Sequence, residues 1–410
     1  MGRRIVIVGG GAAGMFAAIR AAEADPAARV TVLEKGRDLL QKVGISGGGR
    51  CNVTHDCPDP RRLVSFYPRG QRELRGMFAR FAARDTVDWF AARGVRLKAE
   101  ADGRMFPTTD RSDTVIDTLV DAARQAGVSM LTRRTVRGLR AEDDRFAVTL
   151  GDGETLAADR VLMTTGGMRG GEARRLVEQL GHAVQEPVPS LFTFHVDDAR
   201  LRDLAGLSVP DARLRITGEK DLDTRGPVLV THWGLSGPGV LRLSAWGARA
   251  LAARDYTFEV VIDWLPDLAP DATAALLDDA RRQWPRRHAT VTPLADLPRR
   301  LWERLCAAAA IGPDRTWAEL RKDEGRALVR QLREARFAVA GKSLNKDEFV
   351  TCGGVSLRDV DLRRMESRRV PGLFFAGEVL DIDGITGGFN LQAAWTGGWI
   401  AGEALGAPPA

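Results

Sequence analysis

The chain has 410 residues, 44% hydrophobic and 28% charged, which excludes a disordered or fibrous polymer and leaves room for two or three domains. No apolar run approaches the roughly 20 residues of a membrane-crossing helix, and Cys51, Cys57, Cys306 and Cys352 show neither a Cys-x-x-Cys pair nor zinc spacing. The formal charge is +6 and is uneven, with ten Lys/Arg against three Asp/Glu over residues 61–98.

Unpaired thiols point to a reducing cytoplasm, and a strand that starts by residue 4 leaves no room for a signal peptide. The basic stretch at 61–98, with a second at 281–304, has the sign of a surface that tracks a phosphate backbone. It is also what an ordinary solvated face looks like here, because only seven of the 60 basic residues are lysine.

The first predicted element is a strand, Arg4–Val8, which runs directly into Gly9-Gly10-Gly11-Ala12-Ala13-Gly14. Gly9, Gly11 and Gly14 have the dinucleotide-binding spacing. The first permits a tight turn, the second lets a pyrophosphate approach the backbone, and the third lets the helix pack close to its strand. The helix that begins at Ala12 and Ala13 aims its first N–H groups at phosphates. A second strand, Val30–Leu33, ends at Glu34 and Lys35, and Glu34 is placed to accept hydrogen bonds from an adenosine ribose. A bare glycine turn is the alternative; the strand, helix and acid around it make an adenine dinucleotide the expected ligand.

Residues 44–52 are too glycine-rich for regular structure and are expected as a loop. Gly47 and Gly48 permit close backbone approach, flanked by Ser46 and Asn52, and Arg50 suits a pyrophosphate or a substrate anion. Cys51 is either a proton donor beside the cofactor or a packed thiol, and Cys352 has the same two readings. Leu74, Met77, Phe78, Phe81 and Trp89 recur at helical spacing, predicting one amphipathic helix over 72–93, and a second helix spans 112–125. Arg104, in a rigid turn with Phe106 and Pro107, either faces the cofactor or makes an interdomain salt link. Strands are predicted at 129–132, 146–150 and 160–163, the last running into Thr165 and Gly166.

From about residue 189, short strands at 192–196, 212–217, 227–231 and 257–263 suggest an antiparallel sheet or small barrel. His232, in Thr-His-Trp-Gly, is a general acid, a carbonyl anchor or a turn-stabilising histidine. Residues 269–334 read as mostly helical, and 337–340 return to the β layer. A strand at 373–376 leads to Gly377 and Glu378, then through Asp381 to a second glycine cluster, Gly387-Gly388-Phe389-Asn390-Leu391. Trp395 and Trp399 on the last helix read as packing residues. Glu378 or Asp381 suits ribityl hydroxyls, and the last helix offers N-terminal N–H groups to the N1/C2=O edge of an isoalloxazine. A nicotinamide has no such edge, so the expected cofactor is FAD. No second Gly-x-Gly-x-x-Gly follows residue 35, so NAD(P)H as electron donor would visit only transiently.

Over nearly its full length the chain resembles a bacterial family of NAD(P)/FAD-dependent oxidoreductases. Its members include aminoacetone-oxidase-like, bile-acid-reductase-like and ribosomal-RNA-dihydrouridine-synthase-like proteins. The motifs that carry the resemblance are Gly9 to Gly14, Ser46 to Asn52, Gly103 to Pro107, Thr231 to Pro238, Gly353 to Val355, Met365 to Ser367 and Gly377 to Gln392. One departure is the direct entry of Met168–Glu172 into a helix after Thr165-Gly166-Gly167, where relatives carry a longer loop. The resemblance implies an α/β fold. A Rossmann-like FAD-binding domain of the glutathione-reductase type would be built from both chain ends, 1–188 and 349–410. A β-rich insert, 189–268 and 335–348, would cover the flavin, and a helical subdomain would span 269–334.

Four functions follow from these observations. The first is a reductase that passes hydride from NAD(P)H to an activated C=C or C=N bond of a small molecule. The second, implied by relatives, is reduction of uridine to dihydrouridine in ribosomal RNA, which needs the base out of its stack. The third is an oxidase that takes electrons from a small amine to oxygen, and the fourth a flavin-binding protein without turnover.

Overall fold

The computed structural model describes residues 2–143, 145–269, 271–343 and 350–408, so parts of the expected boundaries at 344–349 and 409–410 lie outside the described residues. It divides into two compact units, Met1–Val188 with Val350–Ala410, and Pro189–Phe349.

The first unit is organised by β1 (Arg4–Val8), whose apolar run is buried on both faces as a central parallel strand requires. β1 pairs in parallel with β2 (Arg29–Leu33) on one side and with Arg160–Met163 on the other. Ser129–Leu131 extends the parallel sheet beyond β2, and Leu373–Phe375 extends it beyond Arg160–Met163. Short antiparallel strands at Glu366–Ser367 and Val360–Asp361 finish that edge. The chain therefore leaves this sheet after Met163 and returns to it at Val360.

Helix α1 (Ala12–Ala24) follows β1 and packs along the last helix, Phe389–Gly406. The contact is made of small residues at helical spacing on both partners. A Cβ on Gly398 would lie 2.6 Å from the Ala13 carbonyl, on Gly402 2.8 Å from that of Ala17, and on Gly406 3.0 Å from that of Ala21. Each glycine inside a helix costs about 1 kcal/mol relative to alanine, so the close approach is what these positions select. The far end of the last helix is held by cations: Arg160 donates to the carbonyls of Ala404 and Leu405 at 2.7 Å, and Arg3 to that of Leu405 at 3.1 Å.

Two predicted elements differ. Residues 72–93 form two helices, Gln71–Phe78 and Ala83–Ala91, because Asp85 accepts the Ala82 N–H at 2.7 Å and starts a new helix there. Phe81, between them, still serves the core by stacking on Trp399 with centroids 4.9 Å apart. The glycine-rich segment expected as a loop begins as a helix at Gln41 and loses helical geometry at Ser46, where ψ is 145°. Gly47, Gly48 and Gly49 then follow with φ of 58°, 70° and 85°, a left-handed run that only glycine adopts without strain.

The second unit carries a six-stranded antiparallel sheet in the order Phe194–His195, Gly234–Ser236, Glu219–Thr231, Ser208–Ile216, Thr257–Asp263 and Ala335–Ala340. Residues just past the last strand pair back onto the first, with His195 N–H donating to Gly341 and Ser343 N–H to Thr193, which closes the sheet as a small barrel. The Glu219–Thr231 strand begins well before the predicted residue 227. Its early residues alternate charge with the facing strand, as in the Arg213–Asp223 pair at 2.6 Å. Helices Ala272–Gln283, Arg299–Ala308 and Lys322–Arg333 bury Leu277, Trp302, Leu305 and Leu328 in the same core as strand residues Val260 and Phe337. Among the described residues no helix is long and apolar enough to cross a membrane.

Replacing Gly402 with leucine forces α1 and the last helix apart, and such overpacking costs about 1–3 kcal/mol. Thermal unfolding of Gly402→Leu is expected at a clearly lower temperature than that of the parent, with Gly402→Ala in between.

Candidate functional site

The glycines after β1 divide the expected labour as steric facts. A Cβ on Gly9 would collide with the Thr164 carbonyl and one on Gly14 with the Gly9 carbonyl, so both are required for the turn to close. A Cβ on Gly11 would meet nothing within 4 Å. Gly11 is thus the open side of the turn, and it caps α1 without any side chain in attendance. The first N–H groups of that helix, on Ala12, Ala13 and Gly14, lack intrahelical acceptors by geometry and favour an anion in front of them. Glu34 ends β2 half-buried and accepts N–H groups from Gly10 at 2.8 Å and Gly36 at 2.7 Å, which ties the turn to the second strand. Lys35 beside it is exposed.

The C-terminal motif comes to the same place. A Cβ on Gly377 would lie 2.8 Å from that of Ala13, so the chain re-enters against the first turn of α1. Glu378 accepts the Thr351 N–H at 2.8 Å and pairs with the Lys42 ammonium. A Cβ on Gly166 would sit 3.9 Å from the Glu378 carboxylate. Beside it, the Thr165 Oγ is buried and has no hydrogen-bond partner. Asp381 is half-buried and its N–H donates to Val355.

Beyond Asp381 the backbone is pinned by contacts that residue patterns alone did not single out. The buried Asp383 pairs with Arg69. The fully buried Tyr67 hydroxyl donates to the Phe389 carbonyl at 2.6 Å, and desolvation pushes its pKa well up. The Asn390 amide exchanges two 2.8 Å hydrogen bonds with Gly384. Gln392, fully buried, accepts from Thr54 at 2.6 Å and Thr86 at 2.9 Å and donates to Thr396 at 3.1 Å. Trp395 donates to the Val53 carbonyl at 2.9 Å, so it is more than apolar filling. The last helix therefore begins at Gly388, next to Phe389, Asn390 and Leu391, with its start fixed and with no side chain capping it.

The Ser46–Asn52 segment meets this start from the other side. Asn52, with its amide turned to satisfy both ends, accepts the Gly388 N–H at 3.0 Å and donates to the Thr54 carbonyl at 2.9 Å. His55 lies half-buried, its Nδ1 3.0 Å from the Gly387 carbonyl and its ring stacked on Phe389 with centroids 4.6 Å apart. Desolvation lowers its pKa. Ser46 turns inward to its own helix and donates to Val43 at 2.9 Å. Gly47 passes so close to the Phe106 ring that a Cβ would be 2.7 Å from it. Arg50 lies over that ring at 3.9 Å and donates to Glu100 at 2.6 Å, which raises its pKa. Cys51 is fully buried with φ of 62°, and desolvation pushes its thiol up to about 12.

Arg104 shares Glu100 with Arg50 at 2.9 Å and pairs with Asp102 at 2.7 Å, so its salt links are local to one hairpin and not interdomain. His232 belongs to the second unit, exposed on the turn between the strands that end at Thr231 and begin at Gly234. It lines a cleft of about 480 Å³ with Asp197, Arg202 and Asp203. Cys352 is buried in the Thr351–Val355 strand of the first unit. Half of the basic run at 61–98 is neutralised within the first unit: Arg69, Arg80, Arg84, Arg93 and Lys98 each pair with a carboxylate. Missing from the sequence reading were His55, Tyr67, Arg69, Asp383 and Gln392. Asp383 and Gln392 lay inside a motif already recognised, and nothing local marked the others.

The environments of His55 and of His182 generate a pH dependence. His182 bonds Ser367 at 2.7 Å in a buried setting, and desolvation lowers its pKa as it does that of His55. An imidazole with a depressed folded pKa binds fewer protons in the native state than in the unfolded state. Stability is thus fully present above the unfolded value of about 6.5 and falls as pH drops below it. Denaturant titrations between pH 8 and 5, on the order of that window, should show the loss, and it should shrink in His182→Gln.

Residues 3–404 match the HI0933-like protein Rossmann domain. The chain is 32% identical to the ribosomal RNA dihydrouridine synthase of Escherichia coli, over 98% of this chain and 97% of that protein. It is 28% identical to the 3-dehydro-bile acid delta(4,6)-reductase of Clostridium scindens, over 99% of this chain and 100% of the relative. In fold it is similar to the 3-ketosteroid-delta4-(5alpha)-dehydrogenase of Rhodococcus jostii, with a TM-score of 0.51 at 15% identity, covering 99% of this chain and 97% of the other. The chain belongs to the HI0933-like Rossmann-domain family and is an FAD-dependent oxidoreductase.

Proposed function

We propose that the protein takes a hydride from NAD(P)H and reduces a C=C or C=N bond activated by conjugation, with FAD held between α1 and the start of the last helix. The observation that carries this reading is the pair of uncapped helix N-termini, at Gly11 and Gly388, fixed in one unit. The residues present fit FAD. The open face at Gly11 admits a pyrophosphate in front of Ala12, Ala13 and Gly14, and the orphaned Thr165 Oγ gains a partner from a polar group laid across Gly166. Glu34 is positioned for a ribose and Glu378 or Asp381 for ribityl hydroxyls. The N–H groups of Phe389, Asn390 and Leu391 would hold the negative charge that accompanies reduction of the ring. When bound, the flavin supplies the hydride relay: two electrons and one proton pass from NAD(P)H to one carbon of the double bond, and solvent supplies the second proton.

Both named relatives support saturation of a double bond conjugated to a carbonyl, the one in a nucleobase and the other in a steroid-like ring. The relative that shares 32% identity over 98% of the chain favours a second reading, uridine in ribosomal RNA as the acceptor. The buried thiols of Cys51, Cys57 and Cys306, outside any disulfide, support a reducing cytoplasm as the compartment.

Anaerobic titration of the purified yellow protein with NADPH and then NADH, read at the oxidised-flavin band near 450 nm, tests the donor. Bleaching by either nucleotide is expected, followed by reoxidation on addition of an enone. No bleaching by either turns the assignment toward an amine oxidase. Equal dihydrouridine content in ribosomal RNA with and without the gene eliminates the RNA reading. Cys51→Ala is expected to retain its flavin and to be bleached at the parental rate, because a buried thiol with a pKa of about 12 is a poor proton donor.

A further inference from the structure

We propose that Asn52 and His55 are positioning residues that clamp one peptide group, Gly387–Gly388, from both ends and thereby set the reduction potential of the flavin. The inference rests on the reading that the last helix meets the isoalloxazine with its N-terminus.

The two hydrogen bonds concern a single peptide plane. Its C=O, on Gly387, accepts from His55 Nδ1 at 3.0 Å, and its N–H, on Gly388, donates to Asn52 Oδ1 at 3.0 Å. A carbonyl only accepts, so His55 carries its proton on Nδ1. Glycine on both sides would otherwise let this plane rotate at little cost, since φ is 128° at Gly387 and 91° at Gly388. Both clamping side chains come from one short segment, and that segment is itself fixed. Thr54 Oγ bonds Gln392 on the first turn of the last helix, and Val53 N–H and Asp56 N–H bond the backbone of Met105 and Gly103.

Several glycines keep room for the clamp. A Cβ on Gly103 would strike the Nε2 edge of His55, one on Gly387 would approach Nδ1 at 3.4 Å, and one on Gly388 would lie 2.4 Å from the Thr54 carbonyl and 2.9 Å from the Asn52 amide group. The separate motifs around Asn52, Gly103 and Gly387 thus converge on one peptide.

The orientation matters electrostatically. With the Gly387 carbonyl turned toward His55 and the Gly388 N–H taken by Asn52, the N–H groups of Phe389, Asn390 and Leu391 are what the helix turns outward. A plane free to flip would present that carbonyl oxygen to the same space and oppose negative charge on the ring. Releasing the clamp should therefore destabilise the reduced flavin more than the oxidised one.

The test is the midpoint potential of the bound flavin in the holoenzyme, by anaerobic equilibration with a redox dye, with flavin content measured alongside. His55→Phe keeps an aromatic ring against Phe389 and removes the donor, whereas His55→Asn returns an amide N–H to the Nδ1 position. Asn52→Leu releases the other end of the same peptide. His55→Phe and Asn52→Leu are expected to lower the reduced-to-oxidised ratio about tenfold, about 30 mV for a two-electron couple, with His55→Asn near the parent. A third variant, Leu391→Glu, places a carboxylate in the first turn of the last helix. If it lowers the potential while His55→Phe and Asn52→Leu do not, the clamp is overturned and the flavin placement stands. If none of the three shifts a bound flavin, the placement itself fails and the clamp with it. Should His55→Phe lose its flavin, recovery in His55→Asn supports the clamp and equal loss in both overturns it.

Discussion

The last helix lies closer to α1 than ordinary side chains allow. Gly398, Gly402 and Gly406 face the carbonyls of Ala13, Ala17 and Ala21 at separations where no Cβ fits. That contact joins the first 24 residues of the chain to its last 20 or so, and it aligns two helices whose starting ends both lack capping side chains. The parallel sheet repeats the same closure, since Leu373–Phe375 pairs beside Arg160–Met163, which pairs beside β1. Two glycine clusters almost the whole sequence apart become one cradle through this packing. Arg160 and Arg3 complete it by holding the opposite end of the last helix, where its carbonyls need cations.

Around that cradle the polar groups are arranged to hold backbone still. Glu34 holds two N–H groups, Glu378 holds one and a lysine, and Tyr67 holds the carbonyl of Phe389. A chemistry carried by a flavin asks the protein for orientation and field more than for a reactive side chain, and the contacts are of that kind. Cys51 is fully buried, and desolvation pushes its thiol up to about 12.

The arginine content has a structural outlet as well. Arg50 and Arg104 share Glu100, Arg80 and Arg20 share Glu403, and Arg93 lies over Trp89 while pairing with Glu23. Exposed pairs of this sort contribute little stability each, in the range of about 0–1 kcal/mol, but they consume charge that would otherwise attract a polyanion. A run of basic residues in sequence is therefore a poor measure of the field at the surface.

The sequence by itself determined the strands and glycine turns at the two ends of the first unit's parallel sheet. Local rules suffice where an apolar run, a glycine spacing and a following acid must occur in order, as from Arg4 to Glu34 and from Leu373 to Leu391. It also indicated an antiparallel second unit from short alternating strands. The tertiary structure alone decided what those motifs touch. The break between Phe78 and Ala83 depends on a capping carboxylate that periodicity does not weigh, and the early start of the Glu219–Thr231 strand depends on charges across the ladder. Barrel closure depends on residues 193–195 meeting residues 341–343, more than a hundred positions apart. His55, Asn52 and Gly103 converge on the Gly387–Gly388 peptide only after folding, since the physical link among them is contact at long separation.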